Sequence, residues 1–535
     1  MGVRDFRLSG LTLSRRAATM LILGASLLIT LFYAFSHGQD TNWDQRNYHL
    51  VVPHLLLHGG FWDSVQPAGF QTYLNPLPLI PAYLAIMTMP PLLATAVIAL
   101  VQSAAFMVAG LICLRLERNS ADRGLAALGF LLCLASPMAL SEAGSTFVDL
   151  WVSVPILLAY WLLLDGGRRG PRSVALAGLL LGVSAGMKLT AVLFLLGMPM
   201  LFATGPEPAL ARLRLLIICG LACLAGIMIS GFWWHWHLWQ TFGSPVFPLW
   251  NSIFHARDYW PEDYHDDRFT GKTAWDLLRY PIAWMIGGGG PAPGLLGPAS
   301  ETDPRDPRFL LIILGLSALA VAAMLNARVR GRFAQSPAAG LLLAWPVIYV
   351  AWLYLFGILR YMMPLEILGG AVLLGLVQFL PTMRLRQGVL IGAGVLSLVM
   401  MHTGFFGRMH FQGGWRTLAE HPPVVAPRAV VFLAEQPLAY VAASLPTDAR
   451  FIATGGFGMS PEDRGTATWG KINALLDPSA GRPLYALGYK GHDVSADPTL
   501  VMLGLRVTAQ CQHFAVAMDH LQLCELRPTP APKTP

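Results

Sequence analysis

The feature that most constrains this chain is a series of eleven apolar runs of the kind that cross lipid bilayers. A membrane-spanning helix needs about 20 predominantly apolar residues. The runs lie at roughly 17–36, 91–114, 124–141, 149–164, 173–188, 189–204, 213–232, 309–326, 338–357, 362–380 and 387–403. Charged residues make up only 13% of the 535 residues, about half of the ~25% that soluble domains carry. The sequence therefore predicts an all-α polytopic membrane protein with about eleven transmembrane helices.

The distribution of arginine predicts how these helices are oriented. The segments on one side of the predicted membrane hold 17 basic and five acidic residues, whereas the short segments on the other side hold only Arg46, Lys188 and Arg360 as basic residues. Because cytoplasmic loops are enriched in Lys and Arg, we expect a cytoplasmic amino terminus in a bacterial inner membrane. The net charge of +7 then reflects membrane topology and does not indicate a nucleic-acid partner. The short, proline-broken run Asn75–Met89 becomes a re-entrant or interfacial element at the outer face.

The predicted domain organisation has two parts. Residues 1–403 form the transmembrane domain, with large outer loops at 37–90 and 233–308, and residues 404–535 form a small periplasmic α/β domain. In this second part, helical character is expected at Pro437–Ser444 and strands are expected at Ala429–Leu433, Arg450–Thr454, Leu500–Leu505 and Leu521–Leu526. Cys511 and Cys524 also lie there, and an oxidising compartment would permit a disulfide between them. The sequence leaves the bonded and the free state open.

Charged and polar residues gather at the outer ends of the predicted spans. A charge at membrane depth costs a few kcal/mol and is usually retained for function. These residues are Asp40, Asp44, Tyr48 and His49 after the first span, Glu142 and Asp149 after the third, Lys188 after the fifth, and Arg360, Tyr361 and Glu366 after the ninth. If the first group is helical, Asp40 and Asp44 share one face. The acids and bases are therefore expected to converge on one side of the membrane.

This combination of residue types indicates group transfer from a lipid-linked phosphate. A carboxylate can act as general base toward a hydroxyl or an amine. Lys and Arg can hold a phosphate, Arg through two parallel hydrogen bonds, and their charge can stabilise a phosphate leaving group. The lipid tail would lie among the spans, with its head group at Lys188 and Arg360.

Several short motifs resemble those of the GT-C superfamily, the polytopic glycosyltransferases that include protein O-mannosyltransferases and the aminoarabinose transferase of lipid A. The motifs are Trp43–His49, Gln71–Pro76, Asp149 at the start of a span, Gly182–Thr190, Gly243–Pro248 with Asn251, and Arg360–Pro364. Together they cover most of the predicted membrane part in the expected order.

The resemblance implies a polyprenyl-phosphate-sugar donor and inverting transfer to a periplasmic glycan, lipid or protein. It implies Asp44 as the catalytic base, with Asp40 as the alternative. The expected donor-phosphate-binding residues are Lys188, Arg360, Tyr361, His49, Tyr48, Asp149 and Glu142, and the expected acceptor or loop residues are Gln71, Asn75 and Asn251. No organic cofactor and no metal site are expected. Gln45 stands where many members have an acidic residue, so a requirement for a divalent metal ion stays open.

Other interpretations of the same residues remain. Asp149 could be a helix N-terminal charge, Lys188 and Arg360 could be interfacial anchors, and His49 could simply pack against Tyr48. A transporter or flippase of a lipid-linked substrate would place charges near the bilayer midplane, where this chain has almost none. A non-catalytic assembly subunit on the same fold is the other alternative.

Overall fold

The chain is predominantly helical in the computed structural model. The described residues are 14–117, 123–164, 169–205, 207–264, 266, 268–290 and 296–529. The α-helices before residue 401 are α1 (Arg15–His37), α2 (Val51–Leu57), α3 (Ile80–Thr88), α4 (Pro91–Arg115), α5 (Arg123–Leu134), α6 (Pro137–Ser141), α7 (Asp149–Leu163), α8 (Pro171–Met187), α9 (Gly197–Ala203), α10 (Ala209–Phe242), α11 (Asn251–Phe254), α12 (Asp276–Ile286), α13 (Arg308–Leu325), α14 (Ala327–Ala334), α15 (Ala339–Leu355), α16 (Met363–Ile367), α17 (Gly369–Val377) and α18 (Met383–Met400).

Within the described residues, five of these helices are long and apolar enough to cross a membrane, namely α1, α4, α10, α13 and α18. Two bent pairs raise the number to seven if each pair forms one span: α14 with α15, and Leu359–Ile367 with α17. Shorter apolar helices are α5, α7, α8 and the segment Leu189–Ala203. Each of the eleven predicted runs overlaps one of these elements. The prediction of an all-α polytopic membrane fold is therefore confirmed.

The breaks in the shorter helices have local causes and position polar residues. Ser136 is extended because it precedes Pro137, and a residue before proline is disfavoured in a helix. The break separates α5 from α6 within one apolar run, and α6 leads into the turn that carries Glu142. Lys188 is likewise extended at the end of α8. Arg360 lies in a single 3-10 turn, Leu359–Met362, between α15 and α16. Three of the predicted site residues thus follow interruptions of apolar segments.

Helix α4 occupies the centre of the helical part. About two thirds of its most apolar window is buried, whereas the corresponding share in α13 and α18 is 17%. The outward surface of α18 includes Leu398 and Val399, both largely exposed, and such apolar surface suits contact with lipid. At its buried face α4 carries Gln102, which donates to the Ser145 carbonyl at 3.2 Å and accepts from the Gly144 amide at 2.7 Å. The central helix therefore anchors the turn between α6 and α7.

Helices α8 and α10 pack with their backbones in contact. A β-carbon at Gly178 would lie 2.1 Å from the Cys219 carbonyl oxygen, and one at Gly182 would lie 1.9 Å from the Cys223 carbonyl oxygen. Small residues spaced four apart allow membrane helices to approach this closely. Because Lys188 directly follows α8, this contact also fixes the position of the lysine.

Replacing Gly182 by alanine is expected to destabilise the protein by about 3 kcal/mol, at the upper end of ordinary overpacking. The added methyl group meets a backbone carbonyl, which can move only if the two helices separate. Thermal unfolding of the purified protein in detergent measures the effect. The matched control is Gly220→Ala in α10, where a β-carbon meets nothing within 4 Å. This control should unfold at or slightly above the wild-type temperature, because alanine favours helix; equal stability of the two variants would contradict the prediction.

The first outer loop folds into short elements above the helices. These are the strand β1 (Gln39–Asp40), a π-helical turn at Gln45–His49, α2, a 3-10 helix at Gly69–Tyr73, and α3. Helix α3 has nine residues and is about 13 Å long at ~1.5 Å per residue. It is too short to cross an apolar layer of about 30 Å, so Asn75–Met89 does not span the membrane.

After α18 the chain forms a five-stranded mixed sheet with the order β4-β3-β5-β7-β6. The strands beyond α18 are β2 (Arg408–Met409), β3 (Val430–Leu433), β4 (Arg450–Ala453), β5 (Leu484–Tyr489), β6 (Leu505–Val516) and β7 (Asp519–Pro528), and the helices are α19 (Ala467–Leu475) and α20 (Pro498–Met502). Strand β3 pairs in parallel with β4 and β5, and β7 pairs antiparallel with β5 and β6. A disulfide joins Cys511 to Cys524 across β6 and β7.

The predicted strands at Ala429–Leu433, Arg450–Thr454 and Leu521–Leu526 are confirmed, and the helical stretch is a 3-10 helix at Ala439–Ser444. The strand predicted at Leu500–Leu505 is wrong. The Asp497 side chain accepts hydrogen bonds from the backbone of Thr499 and Leu500, and Pro498 occupies the first helical position. Both features start a helix, and the strand begins only at Leu505.

The C-terminal sheet region contacts the first outer loop directly. Strand β2 pairs antiparallel with β1, so that Asp40 lies opposite Arg408. A second bridge joins Val65 to Ile452. The first loop is therefore held between the helices and the end of the chain.

Candidate active site

Arg360 lies at the centre of the outer cluster of charges. Its Nη1 donates to Asp44 Oδ2 at 3.1 Å, and its Nε and Nη2 donate to the two carboxylate oxygens of Glu301 at 2.6 and 3.0 Å. Asp149 Oδ2 lies 3.9 Å from Nη1. The guanidinium also lies over the Phe147 ring, with 4.5 Å between Cζ and the ring centroid. Three carboxylates and the face of the Phe147 ring therefore adjoin one buried arginine.

Lys188 forms the second positive centre. Its Nζ contacts Asp149 Oδ1 at 2.5 Å and lies 4.6 Å from the centroid of the Tyr361 ring. Asp149 is the first residue of α7 and connects the two cations, because one oxygen meets Lys188 and the other approaches Arg360. These contacts show that Asp149, Lys188 and Arg360 form one network across three elements. The alternative interpretation of these three residues as isolated charges at helix ends does not describe this arrangement.

Asp40 and Asp44 have different surroundings. Asp40 accepts hydrogen bonds from the Thr146 amide and hydroxyl at 2.7 and 2.8 Å, and from the Asn42 side chain at 2.8 and 2.9 Å. Asp44 accepts only from Arg360 and, at 3.4 Å, from the Tyr48 hydroxyl, among the described residues. The expectation that the two acids share a helical face is wrong, because Asp40 belongs to β1 and Asp44 precedes the π-helical turn. Asp40 is thus saturated by protein donors, and Asp44 is the less constrained carboxylate.

His49 is a neutral, buried acceptor. Burial lowers the pKa of its imidazole to about 3. Its Nδ1 lies 2.8 Å from Thr146 Oγ1, whose only hydrogen is donated to Asp40. Nδ1 must therefore carry the ring proton, which leaves Nε2 as an acceptor. Nε2 has no hydrogen-bond partner in the described part of the chain. His49 cannot supply positive charge to a phosphate at neutral pH. Burial and the Asp44 charge also raise the pKa of the neighbouring Tyr48 hydroxyl, so Tyr48 stays a hydrogen-bond donor.

Glu142 is fully buried at the end of α6, and among the residues that the structure describes neither of its carboxylate oxygens has a hydrogen-bond partner. Burial and the nearby Asp149 charge raise the pKa of Glu142 well above its ordinary value, although Arg360 and Lys188 act in the opposite direction. These surroundings favour the neutral, protonated form of the side chain. In this form it can donate one hydrogen bond to a ligand.

Replacing Glu142 by glutamine is expected to stabilise the protein increasingly as the pH rises. A carboxyl group whose folded-state pKa is raised costs stability above its unfolded value of about 4.3, because the unfolded chain releases the proton more readily. Glutamine has the shape of the neutral acid and carries no such cost. The thermal unfolding temperatures of wild type and Glu142→Gln should coincide near pH 4 and separate toward pH 8. A difference that shrinks with rising pH would contradict this assignment.

A small pocket of about 10 Å³ adjoins the two cations. Its polar end is formed by Asp149, Lys188, Arg360 and Tyr361. Its remaining walls are mostly apolar and are formed by Val152, Ser153, Ile156, Thr190, Ala191, Phe194 and Pro364. The two cations therefore lie beside an apolar wall formed by α7, the Leu189–Leu196 segment and the turn before α16.

The predicted acceptor or loop residues form hydrogen bonds to other parts of the protein. Asn75 donates to the carbonyls of Gly186 and Ser230. Asn251 donates to backbone carbonyls in its own loop, including Ala256 at 3.1 Å. Gln71 accepts from the Asn47 side chain at 2.5 Å. In this structure these three side chains stabilise the outer loops.

Sequence reasoning misses Glu301, Thr146 and Phe147. Glu301 lies in a long loop among many outer acids, and no spacing relates it to Arg360. The sequence does offer a signal for Thr146 and Phe147, because they lie between two predicted site residues, Glu142 and Asp149. No group of three or more potential metal ligands occurs among the described residues; His265 and Asp267 of the second outer loop lie outside them.

The fold and the site define a class of protein: a polytopic membrane protein with a cluster of acids and bases at one end of its helices. Residues 73–355 match glycosyltransferase family 87, and the chain belongs to this family. The matched segment includes Asp149, Lys188 and Glu301 and ends shortly before Arg360.

The fold is also similar to that of ArnT from Cupriavidus metallidurans. The structure of ArnT bound to undecaprenyl phosphate shares 13% sequence identity, with a TM-score of 0.51 over 94% of this chain and 97% of that chain. The structure of ArnT in the apo state shares 14% identity, with the same TM-score over 96% and 98% of the two chains. No curated protein matches the sequence. The resemblance to the GT-C superfamily is thereby confirmed, and the protein is a membrane glycosyltransferase.

Proposed function

We propose that this glycosyltransferase moves a sugar from a polyprenyl-phosphate-linked donor to a periplasmic acceptor. The observation that carries the proposal is the pocket in which Lys188 and Arg360 lie at one end of an apolar wall. A soluble nucleotide-sugar donor would have no use for an apolar wall beside its phosphate. That the similar fold of ArnT binds undecaprenyl phosphate supports the same donor class.

In this proposal the donor phosphate lies between Lys188 and Arg360, and the prenyl chain follows the apolar wall toward the lipid. The guanidinium can bind two phosphate oxygens at once, while the ammonium acts as a point charge. Asp149 holds both cations in position. As the bond between C1 of the sugar and the phosphate oxygen breaks, the two cations stabilise the charge that develops on the phosphate, and no separate acid is needed.

Asp44 is proposed as the general base. It takes the proton from the acceptor hydroxyl while that oxygen forms the new bond to C1, on the face opposite the leaving phosphate. The configuration at C1 is therefore inverted. Asp40 is a less suitable base, since its lone pairs are occupied by Thr146 and Asn42. Its proposed role is to hold the first loop in place.

The remaining predicted residues receive more specific proposed roles. Glu142, as a neutral acid, donates a hydrogen bond to the sugar or the phosphate, and His49 Nε2 accepts one from a sugar hydroxyl. Tyr48 and Tyr361 place a hydroxyl and a ring beside the two cations. No organic cofactor is assigned to the reaction.

The proposed orientation places the amino terminus in the cytoplasm and the site with the C-terminal domain, residues 404–535, in the periplasm of a bacterial inner membrane. The excess of basic residues in the opposite segments supports it. Membrane lipids are then the immediate partners. The acceptor is a periplasmic glycan, lipid or protein.

The test is transfer of a labelled sugar in vitro. Purified protein in lipid nanodiscs is incubated with a panel of sugars linked to undecaprenyl phosphate and with envelope extracts as acceptors. Label moving to an acceptor, together with release of undecaprenyl phosphate, is the expected result. Movement of the intact donor across the liposome membrane, without any covalent change, would contradict the proposal and indicate a transporter.

A further inference from the structure

The contact between Glu301 and Arg360 has the geometry by which a guanidinium binds a phosphate. Two parallel hydrogen bonds of 2.6 and 3.0 Å run from Nε and Nη2 to the two carboxylate oxygens. Arg binds carboxylates and phosphates with this same pair of donors. A phosphate that binds Arg360 through two oxygens on this side therefore requires the position that Glu301 occupies.

Glu301 is also the carboxylate that can leave most easily. Asp149 keeps its contact with Lys188, and Asp44 keeps that with Tyr48. The hydrogen bonds of the Glu301 carboxylate go to Arg360 alone, among the described residues. Its side chain is 17% exposed, against 4% for Asp149 and 11% for Asp44. It lies between α12 and α13 on a stretch without regular secondary structure.

The local charge balance favours departure of the Glu301 carboxylate from Arg360 when a phosphate binds. Three carboxylates face two cations in this network, so a phosphate that enters beside all three meets an excess of negative charge. Release of Glu301 into solvent removes one of these charges and frees the two donors at the same time. On departure of the phosphate, the carboxylate can return to Arg360.

We propose that Glu301 competes with the lipid-linked phosphate for Arg360 and thereby sets how readily the polyprenyl phosphate product leaves the site. This inference rests on the proposed function, because it assumes that Arg360 binds the phosphate of the donor and of the product. The product is a phosphate monoester, which carries about −1.5 to −2 charges at neutral pH, whereas the donor diester carries one. Arg360 without a competing carboxylate would therefore bind the product more tightly than the donor. Return of the Glu301 carboxylate to Arg360 offsets this difference.

The experiment measures binding of undecaprenyl phosphate to the full-length protein in detergent micelles. Wild type, Glu301→Gln and Glu301→Ala are compared, since one variant keeps the shape of the side chain and the other removes it. Both should bind about tenfold more tightly than wild type, within the range of measured couplings between sites. In the transfer assay both should lower KM and kcat together, because the product leaves more slowly. A residue that only supported Arg360 would instead weaken binding when changed.

The matched control is Asp303→Asn, which removes the same charge two residues away. Asp303 accepts hydrogen bonds from Gly288 and Gly289 and faces Arg305 instead of Arg360. The affinity of the Asp303→Asn protein for undecaprenyl phosphate should equal that of wild type. Unchanged or weaker binding by the two Glu301 variants, with measurable wild-type binding, overturns this inference alone. If neither wild type nor the variants bind undecaprenyl phosphate, the proposed function fails as well.

Discussion

Replacing Arg360 by alanine is expected to weaken binding of undecaprenyl phosphate at least about 30-fold and to abolish transfer. Truncation of one partner in a buried, hydrogen-bonded charge pair costs roughly 2–5 kcal/mol. Here the change removes the fork that is proposed to bind the phosphate and leaves Asp44 and Glu301 without their cation. Binding is measured with the purified protein in detergent, and thermal unfolding is followed in parallel. Arg360→Lys, which keeps the charge and loses the planar fork, should give an intermediate affinity.

The control for this prediction is Arg305→Ala. Arg305 is half exposed and lies 3.9 Å from Asp303 in the loop before α13, so its loss should leave affinity unchanged. Wild-type affinity in Arg360→Ala would exclude this arginine as the phosphate ligand. Arg360→Ala is expected to weaken binding of undecaprenyl phosphate, whereas Glu301→Gln is expected to strengthen it. Together the two variants therefore distinguish loss of a phosphate ligand from loss of a competitor.

Replacing Asp44 by asparagine is expected to lower kcat about 10²- to 10⁴-fold, the usual contribution of a general base. Binding of undecaprenyl phosphate should change little. Asparagine is close in shape to aspartate and can still accept from Arg360 Nη1, while Glu301 and Asp149 remain in place. Single-turnover transfer and equilibrium binding, measured on the same preparation, separate the two effects.

Asp40→Asn provides the contrast. An amide at this position places two donors where Thr146 and Asn42 already donate, so the expected loss is in folding stability. A well-folded but inactive Asp40→Asn protein beside an active Asp44→Asn protein would reverse the assignment of the base.

The helical architecture was accessible from the sequence because crossing a bilayer leaves a strong signal. Apolar length and arginine placement act residue by residue and need no knowledge of tertiary contacts. The same logic located Asp149, Lys188 and Arg360, since a charge beside an apolar run is conspicuous. Their convergence in one network follows from their position at the same end of neighbouring helices.

The pairing within the site could not be read from the sequence. The contact between Arg360 and Glu301 joins residues separated by a helix, a bent helix pair and several turns, and depends on how α13, α15 and the loop pack. The protonation of Glu142 and the tautomer of His49 depend on burial, which spacing does not reveal. The strand wrongly expected at Leu500–Leu505 is a different case, because the sequence itself carries a helix start at Asp497 and Pro498 that competes with the apolar composition of the segment.

The pairing of β1 with β2 has a consequence for how the protein is made. The segment that carries Asp40 and leads to Asp44 is synthesised long before its partner strand at Arg408 and Met409, which follows α18. Arg408 further binds the carbonyls of Ser141 and Ala143, in the turn that contributes Glu142 and Asp149. The cluster of charges therefore reaches its final form only after β2 has been synthesised. A chain that stalls between α18 and β2 lacks the strand that pairs with the Asp40 segment and the arginine that holds the turn before Asp149.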